Sequence, residues 1–506
     1  MDNAKGPFLL HVEGVNLSQV LDDTQNINVI RGASMALRDA ARDVGDWLTG
    51  DDGLCPNAET IQTGASAGVF LLPVGQQAAQ DCRDAIVKRL NAADFPYRHF
   101  TFAVAIQRLT DFALDRERLL AKIRFKQLQQ GSLAPPGPND STSLTPCPVD
   151  GVRPAATHAA LKGKQEMVSA SVASRLQYGR ANKKRFFEEE TGDPLRAEMT
   201  WDLSEIALES PYPQLNGKLA YFYADGNSFG GVVKNAIGTS DALTTQQQWD
   251  RHIQQKRRTF LSQLVRSGLH QRGLCEDFTT PDGRLRMEVL LWGGDELLLV
   301  VPAWLGFHTA NAFFQQSSTW DFAGQALTHA GGLVFCHHKT PVHRVRHLAK
   351  DLAERVKEDF SRKENLYDYM VLESIDFPTE ALDSFFARHY KTLAGCRQPL
   401  APVDWDNLSK HWPDALFCLP KSQVYAIAHA AIGQGQAAFD KQCRRLKTLV
   451  GQATMTRAES ELGSLFKQDF CFMWRWVRLA ELWDYLAPER MVEPVGQPLA
   501  GSQRQE

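Results

Sequence analysis

The sequence lacks the features that mark zinc-binding, disulfide-stabilised and membrane-spanning proteins. Its nine cysteines are scattered along 506 residues, and no two of them have the C-x-x-C spacing of a zinc site or a thioredoxin-like pair. No apolar run approaches the roughly 20 residues needed to cross a bilayer, and the N-terminus has no signal-peptide core. These absences favour a reduced, cytoplasmic protein that makes no membrane contact.

A strong charge of either sign is also missing. The formal net charge is −3, so the overall balance neither indicates nor excludes a nucleic-acid partner. Basic residues cluster locally at 180–185, 251–258 and 441–447. Such runs are more often solvated helix faces than binding surfaces.

Two blocks of similar pattern follow one another along the chain. The first has an apolar strand that reaches Glu13-Gly14, then a helix, a hairpin around residues 64–73, a second helix and a strand at 100–105. The second block repeats this plan from a strand that ends at Asp225-Gly226 to a strand at 332–337. Both blocks therefore predict a ferredoxin-like α+β fold, present twice.

Three acids in the second block form a candidate metal site. Asp225 follows an apolar strand, and Asp295 and Glu296 follow the Gly293-Gly294 turn of a hairpin. Mg²⁺ (or Mn²⁺) prefers carboxylate oxygens together with substrate phosphates. Either motif alone is more often a turn than a metal site. The two together, each on an apolar strand, predict metal binding and catalysis by these acids.

The residues around the acids are candidates for nucleotide contact. Glycine leaves room for a phosphate against the backbone, and a lysine at a strand end suits a triphosphate. An Asn-Ser pair after Asp-Gly is also good turn chemistry, and a lysine in a helix is usually solvated. The candidate nucleotide-binding residues are Gly226, Asn227, Ser228, Gly293, Gly294, Lys339 and Lys350.

The first block keeps the pattern of the second without its hairpin acids. When Pro73 is aligned with Pro302, Ser66 and Ala67 stand where the second block has its two hairpin acids. Glu13 alone remains, opposite Asp225. The sequence therefore predicts a duplicated fold with one chemically competent copy.

These motifs, in this order, resemble the large polymerase-like subunit of type III CRISPR effector complexes, whose palm domains are related to GGDEF nucleotide cyclases. The second block resembles the second palm of that subunit, and the first block its first palm. The segment between them resembles the family's zinc-binding segment. The segments that carry the resemblance are 13–15, 30–34, 147–155, 224–227, 293–296 and 338–341.

The resemblance implies an organisation of the whole chain. A degenerate first palm occupies residues 1–128, and a linker with the zinc-segment-like region occupies 129–212. A second, GGDEF-like palm spans 213–378, a helical domain spans 379–492, and 493–506 is a disordered tail.

The resemblance also implies an activity. It is the synthesis of cyclic oligoadenylate from ATP with Mg²⁺, within a complex that contains guide and target RNA and sister CRISPR subunits. Asp150 stands where a second zinc-binding cysteine is expected, so we expect no zinc. The HD nuclease domain common in the family is not expected, since the sequence contains no His-Asp doublet.

Two alternatives remain open from the sequence. One is a catalytically silent, ATP-binding scaffold subunit of an RNA-guided complex. The other is a stand-alone GGDEF-like cyclase that uses GTP, because base choice depends on the shape of a pocket.

Overall fold

The protein is described here as a computed structural model that covers residues 6–15, 17–50, 53–64, 66–130, 145–161, 163–195, 197–238, 241–270, 278–373, 377–402, 416, 418–466 and 469–486. The strands are β1 (Phe8–Gly14), β2 (Glu59–Gly64), β3 (Ala67–Leu72), β4 (Phe102–Arg108), β5 (Thr157–Leu161), β6 (Lys164–Val168), β7 (Lys218–Gly226), β8 (Glu288–Gly293), β9 (Glu296–Pro302), β10 (Asp321–Phe322), β11 (Gln325–Ala326), β12 (His329–His337) and β13 (Leu366–Val371).

The α-helices in these ranges vary from one short turn to eight turns. They are α1 (Leu17–Asp22), α2 (Ile27–Thr49), α3 (Gln76–Leu90), α4 (Phe112–Leu128), α5 (Ala170–Thr191), α6 (Leu203–Ala207), α7 (Phe229–Ile237), α8 (Ala242–His270), α9 (Gly306–Ser317), α10 (Val342–Asp359), α11 (Leu382–Tyr390), α12 (Lys421–Gly433), α13 (Gln436–Val450), α14 (Gln452–Leu465) and α15 (Phe472–Leu486).

The first palm is built on an antiparallel sheet with the strand order β2-β3-β1-β4. Strand β1 lies between two neighbours, and most of its side chains are buried. Helices α2, α3 and α4 pack against the sheet. This is the strand–helix–hairpin–helix–strand plan that the sequence predicts.

The second palm repeats this arrangement. Its sheet has the order β13-β12-β7-β9-β8, so the fourth, first, third and second strands of the repeat lie side by side as in the first palm. The duplicated ferredoxin-like α+β fold is therefore confirmed. Strand β13 pairs in parallel with β12 and adds a fifth strand that the sequence pattern did not indicate.

The region between the palms contains folded elements from residue 157 onward. Strands β5 and β6 form a hairpin, and α5 packs closely along α2 of the first palm. The two helices can approach this closely because Gly32 of α2 and Gly179 of α5 have no side chains and each lies against the backbone of the other helix. Residues 131–144 lie outside the described part of the chain.

From Leu382 onward the described residues form helices α11 to α15, which agrees with the predicted helical domain. Buried polar contacts join this domain to the second palm: the fully buried Asp368 of β13 pairs with Arg397 at 2.8 Å, and Tyr369 donates to Glu481 of α15. The predicted tail, 493–506, lies outside the described residues. Within the described part, no helix is both long enough and apolar enough to span a membrane.

Candidate active site

Two of the three predicted acids lie side by side at one end of the second sheet. Asp225 is near the end of β7 and Glu296 begins β9, and the two pair directly across the ladder. Asp225 is 7% exposed, since the apolar strand that precedes it is buried between β12 and β9. Tyr223, two residues earlier on the same face of β7, donates a hydrogen bond to Glu296 at 3.1 Å.

Asp295 lies in the turn that joins β8 to β9. Gly294 has a φ of +54°, which glycine adopts without strain. The carbonyl of Asp295 accepts a hydrogen bond of 3.2 Å from the backbone N–H of Gly226. This bond joins the hairpin turn to the end of β7, so the two motifs found in the sequence meet in the structure.

The acids repel one another, and burial adds to the effect. Burial, together with the charges of Asp295 and Glu296, raises the pKa of Asp225 to about 6, although the Lys357 ammonium opposes this rise. Burial, together with the adjacent charge of Glu296, also raises the pKa of Asp295. Both carboxyl groups therefore hold a proton more readily than an exposed aspartate does.

Lys357 is a site residue that the sequence reasoning missed. It lies in the last turns of α10, and its ammonium contacts the Asp225 carboxylate. The side chain is 9% exposed, so this is a buried ion pair and not a surface contact. A signal was present in the sequence, since Lys357 is one turn beyond Ala353 on the buried face of α10.

The structure separates the two lysines that the sequence proposed. Strand β12 runs antiparallel to β7, and its last residue, His337, pairs with Lys218 at the start of β7. Lys339 follows His337 and therefore lies at the opposite end of the sheet from Asp225, so it cannot contact a phosphate bound there. Lys350, by contrast, lines a cavity together with Glu296.

The turn after Asp225 is held from the neighbouring strands. Asn227 donates two hydrogen bonds to Thr328: its backbone N–H to the carbonyl at 2.8 Å, and its side-chain amide to the hydroxyl at 3.1 Å. Its buried side-chain oxygen has no hydrogen-bond partner among the described residues. Ser228 has a φ of +58° and begins α7. These contacts fix the backbone where a nucleotide would approach.

The first palm reproduces this geometry without the hairpin acids. Glu13 of β1 pairs across the ladder with Ala67, as Asp225 does with Glu296. Gly14 donates to the carbonyl of Ser66 at 3.0 Å, the counterpart of the Gly226 bond in the second palm. The acid of the first palm is also paired with a cation from a helix: Arg124 of α4 pairs with Glu13 at 3.0 Å, as Lys357 of α10 pairs with Asp225.

The two hairpin turns meet at the seam between the palms. A methyl group placed on Gly64 would lie 3.6 Å from the backbone nitrogen of Gly294. A seam cavity of about 350 Å³ has Ser34 and Ser66 from the first palm and Glu296 and Lys350 from the second in its wall. A second, hairpin cavity of about 210 Å³ is lined by residues that include Gly64, Phe229, Trp249, Arg257, Gly294 and Asp295.

The acids differ in which cavity they line. Glu296 lines the seam cavity, Asp295 lines the hairpin cavity, and Asp225 is engaged by Lys357. Among the described residues, no three His, Cys, Asp or Glu side chains are arranged to hold a metal ion. Carboxylates are nevertheless the ligand type that Mg²⁺ prefers, so the chemistry of the three side chains fits that ion.

Asp150 organises the segment that resembles a zinc-binding one. Its carboxylate accepts hydrogen bonds from the backbone N–H groups of Val152 and Arg153 at 3.1 and 3.0 Å and from the Ser169 hydroxyl at 2.8 Å. It also pairs with the Arg153 guanidinium at 3.0 Å. The Asp150 carboxylate therefore holds the turn of residues 150–153 by hydrogen bonds and an ion pair.

Comparison with known proteins shows the fold. No protein-family model matches the chain, and no curated protein is similar to it in sequence. A Csm1–Csm4 cassette in complex with cA4 superposes with a TM-score of 0.52 at 12% identity, covering 94% of this chain and 69% of that chain. A cassette in complex with pppApApA gives a TM-score of 0.52 at 12% identity, covering 95% and 69%.

Csm1 of T. onnurineus gives a TM-score of 0.50 at 12% identity, covering 94% of this chain and 69% of that chain. These likenesses extend over both palms and the helical domain. The fold implied by the sequence motifs is confirmed: the chain has the fold of Csm1.

Proposed function

We propose that the second palm is a nucleotidyltransferase that converts ATP into cyclic oligoadenylate messengers in type III CRISPR antiviral defence. The observation that carries the proposal is the duplicated strand register, in which Asp225 and Glu296 face each other in the second palm while Glu13 faces Ala67 in the first. Solved structures of the same fold contain cA4 and pppApApA, which supports adenylate chemistry.

Asp225, Asp295 and Glu296 are the residues that would hold Mg²⁺. Their mutual repulsion is the kind of charge excess that a divalent cation relieves. When bound, the ion would neutralise the triphosphate and lower the pKa of the attacking ribose hydroxyl. The Lys357 ammonium contacts the carboxylate of one of these acids, Asp225.

Lys350 and Lys357 are the two α10 cations that we assign to substrate phosphates. Lys357 is already beside Asp225, and Lys350 lines the seam cavity next to Glu296. The backbone of Gly226 and Asn227 is fixed by bonds to the hairpin and to Thr328. A pre-formed turn of this kind can orient a nucleotide without first ordering the chain.

The test is pyrophosphate release from ATP in the presence of Mg²⁺. The purified protein is assayed alone and then with its sister subunits, guide RNA and target RNA. We expect release by the wild type and none by Asp295→Ala. The same assay with GTP, followed by mass spectrometry of the product, decides between an adenylate and a guanylate cyclase. If the complete assembly releases no pyrophosphate from either nucleotide, the proposal fails.

RNA binding is a second function, and a basic surface on α10 favours it. Eight of the fourteen residues from 337 to 350 are His, Lys or Arg, and none is acidic. Lys339 and Arg344 are exposed, and no acid among the described residues forms an ion pair with either. Cations in the first turns of a helix oppose its macrodipole, so helix stability does not explain them.

The RNA function is tested by charge reversal. Arg344→Glu should weaken RNA binding and reduce its salt dependence, because one phosphate contact is lost. Lys164→Glu is the matched control, since Lys164 is exposed on the β5–β6 hairpin. Fluorescence anisotropy over a range of salt concentrations gives both quantities. If Arg344→Glu and Lys164→Glu weaken RNA binding equally, the effect of charge is non-specific and the α10 surface is not the RNA site.

A further inference from the structure

We propose that Arg257 is a phosphate-binding residue, which holds a phosphate group of the nucleotide in the hairpin cavity, next to Asp295. The inference rests on the proposed function, because it names a further contact for the same substrate. Neither of the sequence motifs contains this residue. It lies in the middle of α8, within a basic run that has the sequence pattern of a solvated helix face.

Arg257 is a buried cation whose donors are not satisfied. The residue is only 7% exposed, and its Nε and Nη1 atoms have no hydrogen-bond partner among the described residues. A buried charged donor without a partner is costly, and native structures contain few of them. The described residues leave these two donors open, so a ligand that enters the cavity can accept from them.

The nearby acids are already engaged elsewhere. Glu190 accepts hydrogen bonds from Arg42 and, at 3.0 Å, from the Trp292 indole. Asp250 accepts from the backbone N–H of Thr63 at 3.2 Å and from the Gln254 amide at 2.7 Å. Both carboxylates attract Arg257 through space, but neither accepts a hydrogen bond from it.

The guanidinium is nevertheless held in place. Its central carbon lies 5.7 Å from the centre of the Trp292 ring, a distance at which a cation is attracted to the aromatic face. Contact through the face leaves the edge of the guanidinium, with its N–H groups, for a ligand. That edge is the part of arginine that matches the oxygens of a phosphate.

The hairpin cavity has the right size and position for part of a nucleotide. Its volume is about 210 Å³, below the roughly 300–1,000 Å³ of pockets that enclose a whole drug-sized ligand. Arg257, Asp295 and the backbone of Gly294 all line it. A phosphate at this place would lie beside the hairpin acids, where phosphoryl chemistry is proposed, and would complete the donors of Arg257.

The competing interpretation is that Arg257 only balances buried acids. Its charge does help to lower the pKa of Glu190, although Arg42 and Arg38 contribute more. A purely structural cation would affect folding and would leave phosphate affinity unchanged. The two interpretations therefore differ in what a substitution does to the binding of an isolated polyphosphate.

The experiment measures binding of inorganic triphosphate, ATP and adenosine by isothermal titration calorimetry, with Mg²⁺ present. Arg257→Gln should weaken triphosphate and ATP binding about tenfold or more, as expected for a lost charge-assisted contact, and leave adenosine binding unchanged. Arg257→Lys should weaken them less. Arg251→Gln is the matched control, because Arg251 is an exposed arginine of the same helix α8.

Several outcomes would overturn the inference. Unchanged triphosphate binding by folded Arg257→Gln would do so, as would an equal loss from Arg251→Gln or a loss confined to adenosine. If Arg257→Gln does not fold, the triphosphate affinity of Arg257→Lys is compared with that of the wild type, and unchanged affinity would overturn the inference. Arg257-dependent triphosphate binding by a protein that never releases pyrophosphate would refute the proposed function and keep this inference. If Arg257→Gln turns over ATP with an unchanged KM, this inference fails and the proposed function stands.

Discussion

At the scale of single residues, the site is a buried carboxylate matched by one lysine. The Asp225 carboxylate is held by Lys357, and nearby acids and burial raise its pKa to about 6. A buried pair of this kind is poor evidence for added stability, because desolvating two charges costs free energy. Under the proposed function, Lys357 would contact a substrate phosphate when the nucleotide binds.

Substituting Lys357 and Lys339 in turn tests at which end of the second sheet ATP binds. Lys357→Met should weaken ATP binding about tenfold or more, since a cation is removed from the phosphate position. Lys339→Met should leave ATP affinity unchanged in the absence of RNA, because Lys339 is at the other end of the sheet. Equal effects of the two substitutions on calorimetric ATP affinity would contradict this placement.

The sequence indicated that the two acid motifs lie together, and it did not indicate Lys357. Asp225 and the hairpin acids were visible because each follows an apolar strand next to glycine. Lys357 was missed because its position on the buried face of α10 was the one sequence signal for it, and its contact with Asp225 depends on how that helix packs. Lys339 was misplaced because the direction of β12 was not considered, although an antiparallel neighbour ends at the opposite edge.

At the scale of elements, the close crossing of α2 and α5 joins the first palm to the region that follows it. A methyl group on Gly32 would lie 1.8 Å from the carbonyl oxygen of Arg175, and one on Gly179 would lie 2.4 Å from that of Asn28. One residue from the crossing, Arg31 pairs with the buried Glu288 of β8. The crossing therefore also positions a contact between the palms.

Gly32→Ala should destabilise the protein by about 1–3 kcal/mol or more, as overpacking against rigid backbone does. Gly231→Ala is the matched control: it adds the same methyl group to an exposed position of α7 with no atom within 4 Å. That change should be neutral or stabilising by up to about 1 kcal/mol. Thermal and urea unfolding measure the stability of both variants. Equal stabilities would contradict the close approach of α2 and α5 at Gly32.

The element pattern was predictable where hydrophobic periodicity was strong. Both ferredoxin-like repeats follow from alternating strands and helices in the same order. Strand β13 was missed because its centre is Asp368, an acid whose burial depends on the distant Arg397. The folded region after residue 145 was missed because α5 carries many charged residues that are satisfied by other elements.

At the scale of the whole molecule, Glu190 joins α5 to both palms. It accepts bonds from Arg42 of α2 and from Trp292 of β8. Its side chain is 3% exposed. Burial would raise its pKa, but the guanidinium groups of Arg42 and Arg38 outweigh burial and lower the pKa to about 2. A carboxylate with a lowered pKa stabilises the fold while it remains ionised.

Glu190→Gln should therefore reduce the free energy of unfolding most above the ordinary glutamate pKa of 4.5, by roughly 3 kcal/mol. The difference from wild type should shrink as the pH falls from 4.5 toward 2, because the wild-type advantage is lost when the carboxylate protonates. Urea unfolding at several pH values between 3 and 7 measures it. A difference that does not depend on pH would contradict this account of Glu190.

The central claim is that one of two copies of the same fold does the chemistry. Glu13 and Asp225 occupy equivalent strand positions, and each is paired with a cation from the helix after the fourth strand of its repeat. The decisive measurement is pyrophosphate release from ATP by the assembled, RNA-activated complex containing Asp225→Asn or Glu13→Gln. We predict that Asp225→Asn abolishes release and that Glu13→Gln retains it. Retention by Asp225→Asn, or equal loss from both, would contradict the claim.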